Sequence, residues 1–589
     1  MLDTTLPAAG RKRLVVCCDG TWMNSDTGYD KRSQSLQTPS NVTRLSRALK
    51  RHCKDGRVQI IEYQNGVGTG STVADVLTGG AFGKGIAEHV REAYSFICAN
   101  YEDGDEIVLV GFSRGAFTAR SIAGMIGDLG LLTRKGMEFF YPIFKDMQNW
   151  RTPDYKDPFP RMPFENKPRG ENAEETYREM LLSRGLTRVH ENGGKGPLIR
   201  VKAVGVWDTV GSLGIPRTSW MEKLGIRHVT REYRFYDTNL SDRIGHAFQA
   251  LALDEHRPPF APTVWERKAE NKFTTDLRQV WFPGNHGNVG GGWSDEGIAN
   301  MSLAWMMDQL ASIGVEFDEA TIDRIFTRTR EFYSELAGVD PNADRRLLDI
   351  GSLLSKLFSG RALPWAVRPI YEMNAPVRPW GLGAILQAGS WLYKLAGHDI
   401  RTPGMYHKVD PLYGRKLPAY LEDTNERIHS SVRVRLAVKG LGLNDKGPWD
   451  APALLGNWRL AKTDEKFDDP IPRGSNLWGQ WQTTNGVIPK RRSTAPTPAV
   501  STLAEDGTLL SPPGQDGEGQ DDDDDDDMAL PISDGKRWIW EYCGPESQAP
   551  PERIMVEEPL GPYERHLLKL SGGEPNIFVF AEASSVEAC

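Results

Sequence analysis

The sequence predicts an α/β fold: a mainly parallel sheet flanked by helices, with a helical or irregular C-terminal extension. Strand-like apolar runs alternate with helix-like segments through roughly the first 300 residues, the order that builds a doubly wound sheet. Runs such as LVVCC (14–18) and EIVLV (106–110) are continuously apolar, as strands buried on both faces of a parallel sheet are. Turn-forming glycine clusters such as QNGVGTG stop them.

In chain order, LVVCC is the first strand and VQIIEY (58–63) the second. Residues 74–101 read as a helix weakened near its start by Gly79, Gly80, Gly83 and Gly85. EIVLV is the third strand, followed by a small-residue helix over 116–126. VKAVGVW (201–207) is the fourth, and 233–236 a candidate fifth. Ile244, Phe248 and Leu251 give 241–253 a helical spacing. QVWF (279–282) is a last short strand, with a helix over 301–313 behind it.

These elements divide the chain into a flexible N-terminus (1–10), an α/β domain (11–315), a helical or irregular accessory region (316–490), an acidic linker (491–530) and a tail (531–589). Within the α/β domain, 133–196 is an aromatic insertion carrying FFYPIF (139–144), expected to act as a lid or acyl-binding loop. The linker is Pro/Ser/Thr-rich, then Gly/Asp-rich, and ends in the aspartate run 521–527, a composition that does not order itself. RWIWEYC (537–543) and NIFVF (576–580) restore strand character, so the tail is expected to dock back on the fold. The segment 380–396 reads as a buried helix, or one lying on a membrane surface.

With 39% apolar and 25% charged residues the composition is that of an ordinary globular protein. A net charge of −8 argues against nucleic acid as partner, which calls for a clustered basic surface. Six cysteines without a CxxC pair support neither a disulfide framework nor a zinc site. No run of about eighteen apolar residues occurs, so no membrane-spanning helix is expected. The expectation is a cytoplasmic protein, with peripheral membrane contact allowed; the oligomeric state is not legible.

The chemistry starts at Gly111-Phe112-Ser113-Arg114-Gly115. This GxSxG pattern directly follows a buried strand and precedes a helix, the strand–turn–helix in which a serine is exposed at a helix N-terminus as a nucleophile. The fold is thus expected to be α/β-hydrolase-like. A serine hydroxyl needs a base and an acid, which such folds supply in the order serine, acid, histidine. Of eleven histidines, His286 sits in the glycine-rich loop FPGNHGNVGGGW past the last strand, where these sheets place functional groups. His429 is the rival base, while His89 and His246 fall within helix patterns. Asp208 ends the fourth strand and is the candidate acid, ahead of Asp237 and Asp254. An oxyanion hole would use the N–H of Arg114 and that of Gly20 or Thr21, in the loop after the first strand. Asp19 in that loop either braces the turn or contacts substrate. The glycine clusters at 66–70 and 79–85 do not complete a phosphate loop, because Gly85 stands where a hydroxyl should follow the lysine. No metal or organic cofactor is called for. The same triad would serve a thioesterase or peptidase, and a non-catalytic scaffold is the alternative of a different class.

Six ordered segments, VVCCDGTW, YQNGVGT, GFSRGAFTAR, VWDTVGSLG, ALALDEHRPPF and WFPGNHGNVGGGW, resemble the α/β-hydrolase family that includes the catalytic domain of bacterial type VI secretion phospholipase effectors. The resemblance covers roughly residues 10–310. It implies a Ser-Asp-His triad acting on lipid or phospholipid esters and, carried over by position, Ser113, Asp208 and His286. The long C-terminal half and the acidic stretch look more like stand-alone fungal members than bacterial effectors.

Overall fold

A computed structural model describes residues 10–20, 29–30, 35–36, 38–66, 80–152, 154–170, 172–210, 240–336, 381–386, 398–410, 416–464 and 537–570. The strand expected at 233–236, most of 380–396, the linker 491–530 and NIFVF lie outside these residues.

The central sheet has ten strands: β1 (Lys12–Cys18), β2 (Val58–Gln64), β3 (Glu106–Phe112), β4 (Val201–Trp207), β5 (Ile244–Ala252), β6 (Asp276–Phe282), β7 (Glu426–His429), β8 (Trp458–Thr463), β9 (Arg537–Tyr542) and β10 (Ile554–Glu558). Their spatial order is β8-β9-β10-β7-β6-β5-β4-β3-β1-β2. Every pair from β2 across to β10 is parallel, and β9 and β8 close one edge antiparallel.

Side chains alternate between two buried faces, which is why the strands read as continuous apolar runs. Leu14, Val16, Ile107 and Leu109 face one core, shared with α2 (Gly80–Asn100) and α3 (Arg114–Leu129). Val15, Cys17, Val108 and Val110 face the other, shared with α1 (Asn41–Ala48) and the later helix Gly297–Ser312. Strand order reverses at β1, with β2 on one side and β3 on the other. In open α/β sheets, that reversal opens the crevice where ligands bind beyond the strands' C-terminal ends.

Two expectations are corrected. The segment 241–253 is no helix but the strand β5. Its interior position buries Ala247, Phe248, Ala250, Leu251 and Ala252, so the period-2 signal that marks a half-exposed strand is missing. His246 therefore sits on a strand, 3.5 Å from Asp276. Likewise, 316–490 is not simply helical and irregular: β7 and β8 come from it and extend the main sheet, joined by β9 and β10 from the tail.

The insertion leaves from the C-terminal end of α3, where Leu131–Leu132 pairs with Thr187–Arg188. That end lies about 24 Å along the helix from Ser113. FFYPIF opens the helix α4 (Phe140–Asn149), whose Phe140, Ile143, Phe144 and Met147 are buried in the core shared with α2 and α3. Those four side chains are therefore committed to packing against α2 and α3.

Candidate active site

Register assembles the site. Cys18 lies opposite Gly111, Phe112 opposite Trp207, Trp207 opposite Ala250, and Ala252 opposite Phe282. The residues that follow these strand ends, Asp19, Ser113 and Asp208, thus emerge along one sheet edge, with His286 just beyond.

At the elbow the chain turns from β3 directly into α3. A Cβ on Gly111 would lie 2.5 Å from the Gly115 carbonyl oxygen, and one on Gly115 would lie 2.1 Å from the Cys18 carbonyl oxygen. Both obstacles are backbone, in the helix and in the sheet, so neither yields cheaply. Gly115→Ala is accordingly expected to cost about 3 kcal/mol or more, read as a lowered denaturant midpoint or loss of soluble protein. A variant unfolding at the wild-type midpoint would contradict this seating of α3. Ser113 itself takes φ 57° and ψ −117°, a strained conformation for a side-chain-bearing residue. Its N–H donates to the Trp207 carbonyl (3.1 Å), pinning the turn to β4.

The Ser113 hydroxyl lies 2.8 Å from His286 Nε2, and His286 Nδ1 lies 2.6 Å from Asp208 Oδ2. A carboxylate only accepts, so the proton sits on Nδ1 and leaves Nε2 free to receive one from Ser113. Burial drives the Asp208 carboxyl upward, but the Arg401 guanidinium and the His286 bond outweigh it and hold the group well below the usual carboxylate range. Asp208 is fully buried, whereas Ser113 and His286 each keep 6% exposure.

The His286 loop is fixed by its own polar groups. Asn285 caps the short helix α5 (His286–Gly290), accepting from the N–H of Gly287 (3.0 Å) and Asn288 (3.1 Å), and Asn288 returns a bond to the Asn285 N–H (3.2 Å). Gly284 N–H donates to Asp254 (2.6 Å), and His286 N–H to Glu255 (3.3 Å). The imidazole is wedged between the rings of Phe112 and Phe260, at 4.7 and 5.0 Å. Asp254 also accepts from Trp449 Nε1 (2.9 Å), so it braces the loop instead of serving as the acid; Asp237 lies outside the described residues.

Arg114 opens α3, where N–H groups point off the helix end beside Ser113. Gly20 is adjacent, since a Cβ there would meet the Phe112 ring at 2.8 Å and Ser113 Cβ at 3.4 Å. Its N–H, however, donates to Asp19 Oδ1 (2.6 Å). Thr21 lies outside the described residues. Asp19 is buried, and its Oδ2 accepts from Ser40 (2.7 Å), Thr43 (2.7 Å) and Tyr63 (2.6 Å), an arrangement that braces the loop after β1.

His429 is buried beneath the sheet edge with Nε2 on Glu564 (2.6 Å) and Nδ1 on Ser431 (2.7 Å), and burial lowers its pKa to about 3. With both nitrogens taken, it is no rival base for Ser113. Nor are the thiols beside the site rival nucleophiles, because burial pushes Cys18 up to about 12 and Cys17 likewise upward. Among the described residues no group of three or more His, Cys, Asp or Glu is placed to hold a metal ion, and no helix is long and apolar enough to cross a membrane.

One residue of this constellation has no signal in the sequence. Arg401, in DIRTPG between the accessory region's strands and helices, grips Asp208 with both terminal nitrogens.

Residues 12–309, half of the chain, match the family described as "T6SS, Phospholipase effector Tle1-like, catalytic domain". An uncharacterized protein of Saccharomyces cerevisiae is 22% identical, over 56% of this chain and 64% of its own length; the chain thus spans less than two thirds of that relative. A crystal structure of an uncharacterized protein from Pseudomonas aeruginosa is similar at 14% identity and a TM-score of 0.32, over 63% of this chain and 56% of that one.

Proposed function

The chain belongs to the family of T6SS Tle1-like phospholipase effector catalytic domains, and from that membership we propose that it is a serine hydrolase of lipid esters that forms an acyl-enzyme on Ser113. The observation that carries the reading is the continuous relay from Ser113 Oγ through His286 to Asp208, at 2.8 and 2.6 Å.

In this reading His286 Nε2 takes the hydroxyl proton as Ser113 Oγ attacks the ester carbonyl. Asp208 keeps the imidazole in the required tautomer and stabilises the imidazolium that forms. The oxyanion faces the N-terminus of α3, where the Arg114 N–H stabilises it along with the positive end of the helix. The second donor comes from the loop after β1. It is either Thr21 or Gly20, whose N–H would first have to leave Asp19. His286 then protonates the departing alcohol or lysophospholipid, and water attacks the acyl-enzyme by the same base. These steps use neither a metal nor an organic cofactor.

Full-length protein is expected to be labelled by a fluorophosphonate probe, with labelling lost on Ser113→Ala. It should then hydrolyse the ester bonds of glycerophospholipids faster than thioesters or peptide bonds in substrates of similar size. An unlabelled wild-type chain would sink the serine mechanism; a preference for thioesters would sink the lipid-ester assignment while leaving the mechanism in place.

A further inference from the structure

Asp208 is the most buried member of the relay, and the nearest positive charge comes from outside the stretch that matches the family. Arg401 Nη1 donates to Asp208 Oδ1 and to the Ala252 carbonyl (2.6 Å), while Nη2 donates to Asp208 Oδ2 (2.9 Å) and to the Phe260 carbonyl (2.8 Å). The guanidinium is itself buried, so the pair is dry and its planar fork is held at four points. Those points matter for their neighbours. Ala252 ends β5, and its N–H also donates to Asp208 Oδ1 (3.1 Å); the Phe260 ring packs on the imidazole of His286 at 5.0 Å, inclined by 70°. One side chain therefore ties together the acid, the strand end beside it and the wall against which the base rests. The segment around it acts in the same direction. Asn288 donates to the Ala384 carbonyl (2.9 Å), Asn285 to the Leu386 carbonyl, and Trp449 to Asp254, so the histidine loop is also anchored on chain beyond residue 309.

We propose that Arg401 is a positioning residue of this site: its fork sets the orientation and the field of the Asp208 carboxylate that His286 reads, so the site is complete only with the C-terminal half folded onto it. The inference rests on the hydrolase reading above. Two consequences follow from the geometry. Loss of the fork frees the carboxylate to rotate, and small misplacements in a relay of this kind cost on the order of a hundredfold in rate. Loss of the charge leaves Asp208 uncompensated, so the imidazolium formed during turnover meets a stronger negative field. Among the described residues, charged groups facing the histidine loop include Glu255, clamped by Arg257 (2.7 Å), and Asp254, which Arg435 and His256 face in turn; the rings of Phe112 and Phe260 carry none.

The test uses full-length protein, with rates expressed per site titrated to completion by fluorophosphonate, so that any misfolded fraction drops out. Arg401→Met is expected to lower kcat about 10- to 100-fold with KM within about twofold, and to move the acid limb of the kcat/KM profile up by about half a pH unit or more. Arg401→Lys keeps the charge and loses the fork. It should lower kcat by about fivefold or more while leaving the acid limb where it is in the wild type. Where Arg401→Met yields no folded protein, the lysine variant alone decides. Wild-type kcat per site and an unmoved acid limb in the folded variants would make Arg401 a structural ion pair and overturn the proposal. A wild-type chain that does not label removes the hydrolase reading, and the proposal with it.

Discussion

Replacing Ser113 by alanine is expected to cut ester turnover about ten-thousand-fold or more while leaving the fold intact. In the proposed mechanism His286 activates this hydroxyl, 2.8 Å from its Nε2, and burial raises the thiols of Cys17 and Cys18, so no neighbour would take over the attack. Removal of Oγ breaks one hydrogen bond and deletes a single atom. Ser113→Gly supplies the contrast. At φ 57° and ψ −117° a Cβ is strained, and a backbone residue held in such a region stores about 1–3 kcal/mol. Glycine releases that strain at the cost of greater freedom in the unfolded chain. The glycine variant should therefore be as inactive as the alanine one, yet unfold at a higher denaturant concentration than it does. Equal midpoints would mean that the elbow is not strained; turnover within tenfold of wild type in either variant would mean that Ser113 is not the nucleophile.

The elbow was legible because its reason is local. EIVLV must be buried on both faces, Gly111 and Gly115 allow α3 to press against backbone, and the serine has nowhere to go but outward. Asp208 and His286 were legible for a related reason, since parallel strands deliver their ends to one edge. What stayed hidden depends on long-range pairing. β5 lost its alternation by being buried on both sides. β7 and β10 look like surface segments because Glu426, Arg427 and Glu558 are charged, yet all three are buried. Arg427 donates to Glu558 (2.8 Å), and Trp281 Nε1 to Glu426 (2.8 Å). Such pairing makes a charged strand tolerable in the interior, and no pattern along the chain announces it. Arg401 is the extreme case, 193 residues from the carboxylate it holds.

Asp208→Asn is expected to damage both stability and turnover, which separates it from Ser113→Ala. In the wild type the carboxylate accepts four bonds: Oδ1 from Arg401 and the Ala252 N–H, Oδ2 from Arg401 and His286. An amide offers one acceptor oxygen and one NH2 group, so one side must set donor against donor. If the NH2 faces His286, Nδ1 must accept, the ring proton moves to Nε2, and the base can no longer take a proton from Ser113. If it faces Ala252, the amide opposes both the backbone N–H and the guanidinium. Either way the Arg401 charge is buried without its counter-ion, a loss of about 3–5 kcal/mol, and turnover should fall by about ten-thousand-fold. The stability gap has a predictable pH dependence. Pairing holds the Asp208 carboxyl below its ordinary range, so its contribution is complete above the unfolded value near pH 4 and drains away as the pH falls towards the folded value. Denaturant midpoints of wild type and Asp208→Asn should therefore differ most at neutral pH and converge below about pH 4. A variant as stable as wild type at pH 7 would show that Asp208 and Arg401 do not form the buried pair on which the relay depends.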